Sequence, residues 1–173
     1  MKSKYTKKEI KEFLRESNEI EGVYDEDSLE QALKAWKYLS VQKELNNNVI
    51  LETHKILMIN QGLQPHEIGY FRRVPVYIGG HEALRWENIE VRINNWIGDV
   101  ENTIKAAVLN SQEESEKRIK TDHVEYEKIH PFVDGNGRSG RLLFLWERMQ
   151  MGLSIKIIHA EFPEQEEYYT WFR

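Results

Sequence analysis

Apolar residues recur at helical spacing along most of the chain. Ile10, Phe13, Leu14 and Ser17 fall on one face, and Gly22 reads as a stop. A second stripe, Leu29, Ala32, Leu33, Trp36 and Leu39, follows Asp27 or Ser28 as cap. The run Asn46-Asn47-Asn48 breaks it, and Val49, Thr53, Ile56, Leu57 and Asn60 predict a third helix ending near Gly62. The period then changes. Val74, Val76 and Ile78 alternate before Gly79-Gly80, which predicts a short hairpin, and Pro75 makes its strand an edge. The cleanest stripe comes next: Ile89, Ile93, Trp96, Ile97, Val100, Ile104 and Val108. After a polar link over Asn110 to Glu116, a further helix carries Ile119, His123, Tyr126 and Ile129. The helix from Arg138 to about Met151 is apolar on nearly every side, so it belongs at the centre. A short helix from Phe162 to Arg173, opened near Pro163, closes an all-α pattern read as one domain over 1–173.

Composition narrows the function. The 173 residues are 40% hydrophobic and 31% charged, as in a globular chain. Zero cysteines rule out a disulfide framework, a thiol nucleophile and a thiolate metal site, and fit a reducing compartment. Lys+Arg at 24 against Asp+Glu at 29 is the wrong balance for a dedicated nucleic-acid binder. The longest apolar run, Leu142 to Trp146, falls far short of the ~20 residues that cross a bilayer. Met1 to Arg15 is basic without an apolar stretch, so no signal peptide and a cytoplasmic location are expected.

Chemistry concentrates in His130-Pro131-Phe132-Val133-Asp134-Gly135-Asn136-Gly137-Arg138-Ser139-Gly140-Arg141. Glycines let backbone N–H groups converge, and the helix that follows adds partial positive charge at its head. Arg138 and Arg141, three apart, share one face and suit phosphate oxygens. Asp134 is a hard oxygen ligand of the kind Mg²⁺ uses beside phosphates, and His130 can serve as a general base. Base, metal ligand, anion cradle and charge clamps together describe phosphoryl or nucleotidyl transfer. Gly135 to Gly140 also fits G-x-G-x-x-G, but a dinucleotide fingerprint needs a preceding strand and a βαβ unit, and here a helix precedes it. Taken singly, each residue has a plainer reading: a packed histidine, an aspartate cap, solvated helix arginines.

The segment resembles the Fic family signature H-x-F-x-[DE]-G-N-G-R-x-x-R at every defined position. The resemblance implies a Fic-type helical bundle with a β-hairpin flap, which residues 69–82 would form. It also implies protein adenylyl transfer: AMP passes from ATP to a Ser, Thr or Tyr hydroxyl of a target protein, and pyrophosphate leaves. His130 would deprotonate the hydroxyl, Asp134 would hold Mg²⁺, and Gly135, Asn136 and Gly137 would cradle phosphates. Arg138 and Arg141 would bind the outer phosphates, and Phe132 would anchor the loop. Ser17-Asn18-Glu19-Ile20-Glu21-Gly22 is similar to the family's inhibitory motif [ST]-x-x-x-E-[GN]. The resemblance then implies that Glu21, one turn from Ser17 on a helix over 7–22, pairs with Arg141 and restrains the reaction. The plainer reading of Glu21 is an exposed helix-end carboxylate. Val74, Val76 and Ile78 would dock an extended target segment by strand addition, with Arg72 and Arg73 favouring acidic targets. Removal of AMP by the same site, transfer of UMP, GMP or phosphocholine, and a non-catalytic nucleotide-binding module remain as alternatives. No nucleic acid or membrane is expected as partner, and homo-oligomer formation stays open.

Overall fold

The computed structural model describes residues 5–172. Met1 to Lys4, the start of the segment read as lacking a leader, and Arg173, the end of the predicted tail helix, lie outside the described residues. Among the described residues the chain forms α1 (Lys7–Ile20), α2 (Glu26–Leu39), α3 (Asn47–Met58), α4 (Ile89–Ala106), α5 (Gln112–Ile129), α6 (Asn136–Gln150) and α7 (Glu164–Tyr169). A ribbon of β1 (Tyr77–Ile78) and β2 (His81–Glu82) lies between α3 and α4, antiparallel, with Tyr77 opposite Glu82 and Ile78 opposite His81. None of these helices is long and apolar enough to cross a membrane.

The expected central helix is α6. Leu142 to Trp146 are at most 3% exposed, and one continuous core surrounds them, drawn from α1 to α5, α7 and the connecting segments. The stripe residues Phe13, Leu14, Ala32, Leu39, Leu57, Ile93, Val100 and Ile119 are all buried in it.

Four boundaries differ from expectation. The α2 cap is Asp25, whose carboxylate accepts from both the Ser28 amide (2.7 Å) and the Ser28 hydroxyl (2.8 Å). Helix α4 stops at Ala106, so Val108 is exposed instead of completing the stripe. Much of the supposed polar link is the first turn of α5, because Ser111 and Glu114 form a reciprocal capping box. The hairpin ladder is shorter than Val74–Ile78. Pro75 has no donor to give and the Val74 carbonyl is taken by Arg72 (2.9 Å), so pairing begins only at Val76, whose carbonyl accepts from the Ala83 amide (2.9 Å), and continues through Ile78 in β1.

Two side chains distant in sequence fix the loop ahead of α6. His54 stacks on Phe132, with ring centroids 3.6 Å apart. Its Nδ1 accepts from the Gly69 amide (3.0 Å), so Nε2 carries the proton and donates to the Asp134 carbonyl (3.0 Å). Burial lowers its pKa to about 4 and keeps the ring neutral. Arg72 was expected to face targets, but it is buried. Its guanidinium donates to the carbonyls of His130 (2.7 Å), Val74 (2.9 Å) and Leu84 (2.5 Å), and its amide donates to the Pro131 carbonyl (2.9 Å). It ties the root of the hairpin to the loop.

A second buried polar group lies inside the bundle. Asp122 of α5, whose carboxylate also bonds Thr103, faces Glu147 of α6, and among the described residues the Asp122 Oδ2 and Glu147 Oε1 atoms have no other partner. Burial and the Asp122 charge push the Glu147 carboxyl well above the usual range. With Glu147 protonated, its O–H donates to Asp122 and satisfies both groups.

These two groups act on stability with opposite signs. The native state holds a Glu147 proton that the unfolded chain loses above about pH 4.5, so that contribution weakens by up to about 1.4 kcal/mol per pH unit as pH rises. Denaturant melts from pH 5 to 7 are expected to show Glu147→Gln gaining on wild type by that slope. His54 behaves inversely: its contribution is complete above about pH 6.5 and is lost as pH falls toward 4. His54→Ala should cost about 2–4 kcal/mol at pH 7.5, from lost packing and two lost hydrogen bonds, and less at pH 5.

Candidate active site

Helix α5 ends because His130 adopts a left-handed backbone, φ 51°, which is rare for a side chain branched only by a ring and costs about 1 kcal/mol or more. Three bonds hold it there. The His130 amide donates to the Tyr126 carbonyl (3.0 Å), its carbonyl accepts from Arg72, and its Nδ1–H donates to the Glu127 carbonyl (3.1 Å). That last bond sets the tautomer and leaves Nε2 with a free lone pair. Burial holds the pKa below the ordinary histidine value, and the charges of Arg72, Glu21 and Asp134 also act on the ring. A neutral imidazole with an open Nε2 is ready to take a proton.

The loop then turns into α6 through Gly135, φ 78°, where a β-carbon would run into the Met58 sulfur. The Gly135 amide donates to Asp134 Oδ1 (2.6 Å). No side chain caps α6, and the first amide to bond back is that of Ser139, to the Gly135 carbonyl (2.9 Å). The amides of Asn136, Gly137 and Arg138 therefore head the helix with no helical acceptor, as an anion site requires. The Asn136 side chain works differently from a phosphate ligand. It is buried, accepts from the Phe132 amide (2.8 Å) and donates to the Phe132 carbonyl (2.9 Å), so only its backbone N–H faces the cradle. Asp134 is exposed, and among the described residues no protein donor takes its second oxygen. A single free carboxylate beside phosphates suits Mg²⁺; among the described residues no cluster of three acidic or histidine side chains forms a protein cage.

Both arginines are buried, in different company. Arg141 is 1% exposed. Its Nε donates to Ser17 Oγ (2.9 Å), and its Nη2 to the Ser17 carbonyl (2.9 Å) and Glu21 Oε1 (2.7 Å). Its Nη1 reaches the Tyr168 hydroxyl (3.4 Å). Arg138 donates from Nη1 to Gln61 Oε1 (2.7 Å), while among the described residues its Nε has no acceptor. A β-carbon on Gly137 would strike the Glu21 carboxylate and lie 3.0 Å from Arg141 Nη1. The Glu21 carboxylate thus stands directly over the head of α6. Behind Arg141, burial pushes the Glu127 carboxyl up to about 7.

The expected site residues His130, Asp134, Gly135, Asn136, Gly137, Arg138 and Arg141 are gathered at one end of α6, and Ser17 and Glu21 join them across more than a hundred residues. Val74, Val76 and Ile78 are not part of this cluster; Ile78 is exposed on β1, Val74 is exposed in the segment that leads into it and Val76 is half-buried. His123, a residue of the α5 stripe, packs among Phe144, Tyr168, Trp171 and Phe172. Sequence reasoning gave no role to His54, Gln61 or Glu127, which belong to no motif, and read Arg72 as facing targets instead of tying the hairpin root to the His130 carbonyl. Tyr168 lay in the expected tail helix but carried no assigned role.

A model of the Fic/DOC family matches residues 44–147. Proteins named protein adenylyltransferase Fic from Drosophila grimshawi and Drosophila melanogaster are each 31% identical over 166 residues, which is 91% of this chain. The chain spans only 30% and 29% of the length of those relatives. Among solved structures, a Fic domain containing signaling protein from Bacteroides thetaiotaomicron superposes with a TM-score of 0.76 at 18% identity, over 94% of this chain and 70% of that one. Fic-1 from C. elegans gives 0.72 at 20% identity, over 95% and 55%. Those two likenesses carry the fold, and the matched model, which contains the whole loop from His130 to Arg141, carries the family. This chain, a helical bundle with a small hairpin ahead of that loop, belongs to the Fic/DOC family.

Proposed function

We propose that this chain is a protein adenylyltransferase restrained by its own α1 helix. The observation that carries the reading is the Glu21 carboxylate, 2.7 Å from Arg141 and directly over Gly137 at the head of α6. An anion already occupies the place where a triphosphate's outer oxygens would meet the uncapped amides and the buried arginine.

In this reading His130 Nε2 takes the proton from a target hydroxyl, and the freed oxygen attacks the α-phosphorus of ATP. The bond to pyrophosphate breaks, and the leaving charge falls on Arg138 and Arg141. The amides of Asn136, Gly137 and Arg138 hold the phosphates in line. Mg²⁺, when bound by Asp134, supplies charge neutralisation at the phosphates. The target segment lies along the free edge of the ribbon, where Val74 and Ile78 are exposed and, among the described residues, β1 pairs with β2 alone. With Glu21 on Arg141, the outer phosphates lose that partner and meet a like charge.

A second reading uses the same atoms. The Glu21 side chain is 39% exposed, and among the described residues only its Oε1 is bonded, so its other oxygen is available to orient a water that strips AMP from a modified protein. Release of free AMP from an AMPylated protein by wild type, lost in Glu21→Gly, would favour it.

The direct test is labelling with α-³²P ATP in the presence of Mg²⁺. Glu21→Gly is expected to label itself or a lysate protein about 10–100-fold more than wild type, the equivalent of one charged hydrogen bond. His130→Ala in that background should lower labelling by about 10²–10⁴. Equal labelling by wild type and Glu21→Gly would remove the inhibition. Binding of ATP without any transfer by Glu21→Gly would leave a nucleotide-binding module.

A further inference from the structure

We infer that Gln61 is a positioning residue that holds Arg138 in place for the outer phosphates of the nucleotide. This rests on the reading of the site as a triphosphate cradle. Gln61 lies in the turn after α3, 77 residues from Arg138 in sequence, and its Oε1 accepts from Arg138 Nη1 at 2.7 Å. Arginine can only donate, so the amide orientation is settled: Oε1 faces Arg138 and Nε2 faces away. Nε2 donates to Ser28 Oγ (2.8 Å) and Asn60 Oδ1 (2.8 Å). Ser28 Oγ in turn donates to Asp25 Oδ2 (2.8 Å). The chain of donors runs in one direction, from a buried cation to the carboxylate that caps α2.

The contrast with Arg141 gives this arrangement its meaning. Arg141 is satisfied by Ser17, Glu21 and Tyr168. Arg138 is 5% exposed and, among the described residues, has one hydrogen-bond acceptor, a neutral amide. Asp134, Glu21 and Asp25 act on it through space only. A buried guanidinium held by one corner, its Nε unpartnered, is short of an anion. Gln61 fixes the fork without neutralising it, which leaves the remaining N–H groups for phosphate oxygens. A carboxylate in the same place would have cancelled the charge.

The experiment uses the Glu21→Gly chain, so that inhibition does not mask the effect. ATP binding is measured by calorimetry, and KM and kcat by labelling, with thermal melts as a folding control. Gln61→Met keeps the volume and removes all three side-chain bonds. Its KM and Kd for ATP are expected to rise about tenfold while kcat changes less than threefold. Ser28→Ala cuts the chain one link further out and leaves the Asp25 cap on the Ser28 amide, so it tests the same idea if Gln61→Met melts early; a rise of about threefold is expected. In an Arg138→Ala background Gln61→Met should add nothing, an outcome a purely structural role would not give. KM and Kd within twofold of the parent for both variants would overturn the role of Gln61 and leave the transfer reading standing. A Gln61-dependent Kd without any transfer would support the role and sink the transfer reading. No ATP binding by Glu21→Gly would overturn both.

Discussion

Arg141 is a permanent cation with 1% of its surface exposed, on a helix whose next five residues form the middle of the core. Taking such a group out of water costs several kcal/mol unless charge and hydrogen bonds are returned to it. The fold returns them from three directions: the Ser17 hydroxyl and carbonyl, the Glu21 carboxylate and the Tyr168 hydroxyl. The N-terminal helix and the C-terminal helix are both drawn onto α6 by the same guanidinium. Because the uncapped head of α6 lies one turn away, the residue that neutralises Arg141 also covers the anion cradle. Stability of the folded state and the proposed restraint of the site rest on the same interaction.

Magnitudes indicate how the proposed restraint would be released. Helix α1 buries Ile10, Phe13, Leu14 and Ile20, each contributing roughly 1.5–3 kcal/mol. It is also tied by the Tyr5 hydroxyl to the Leu153 carbonyl (2.9 Å) and by Glu16 to the Ala160 amide (2.8 Å). The Glu21–Arg141 bond, with a carboxylate 39% exposed, contributes about 1.5–3 kcal/mol at most. Undocking α1 is the more expensive route by a wide margin. Glu21 is the C-cap of α1, followed by Gly22 at φ 71°, so its side chain hangs at the free end of an anchored helix. Rotation of that one side chain would clear the cradle with α1 still packed.

The central helix, the order of elements and the loop from His130 to Arg141 were legible in the sequence because each is local. Helical stripes report burial within one element, and the loop residues lie within twelve positions. Ser17 and Glu21 were legible only through a second motif. What stayed hidden acts across long separations: His54 onto Asp134, Arg72 onto His130, Gln61 onto Arg138. No spacing rule connects such pairs: His54 and Gln61 read as ordinary residues, and Arg72 read as an exposed contact for targets. Asn136 shows a different gap. Its place in the loop was visible, but its side chain builds the loop against Phe132, and only its backbone N–H is left for an anion. The hairpin was overestimated because alternation alone does not reveal that Arg72 draws the Val74 carbonyl away.

The account holds that Glu21 and the outermost phosphate compete for the same guanidinium. Calorimetric titration of AMP, ADP and ATP into wild type and Glu21→Gly tests this most directly. The affinity gained by removing Glu21 should be small for AMP and grow with each added phosphate, becoming largest for ATP. An equal gain for all three nucleotides, or none for ATP, would contradict it.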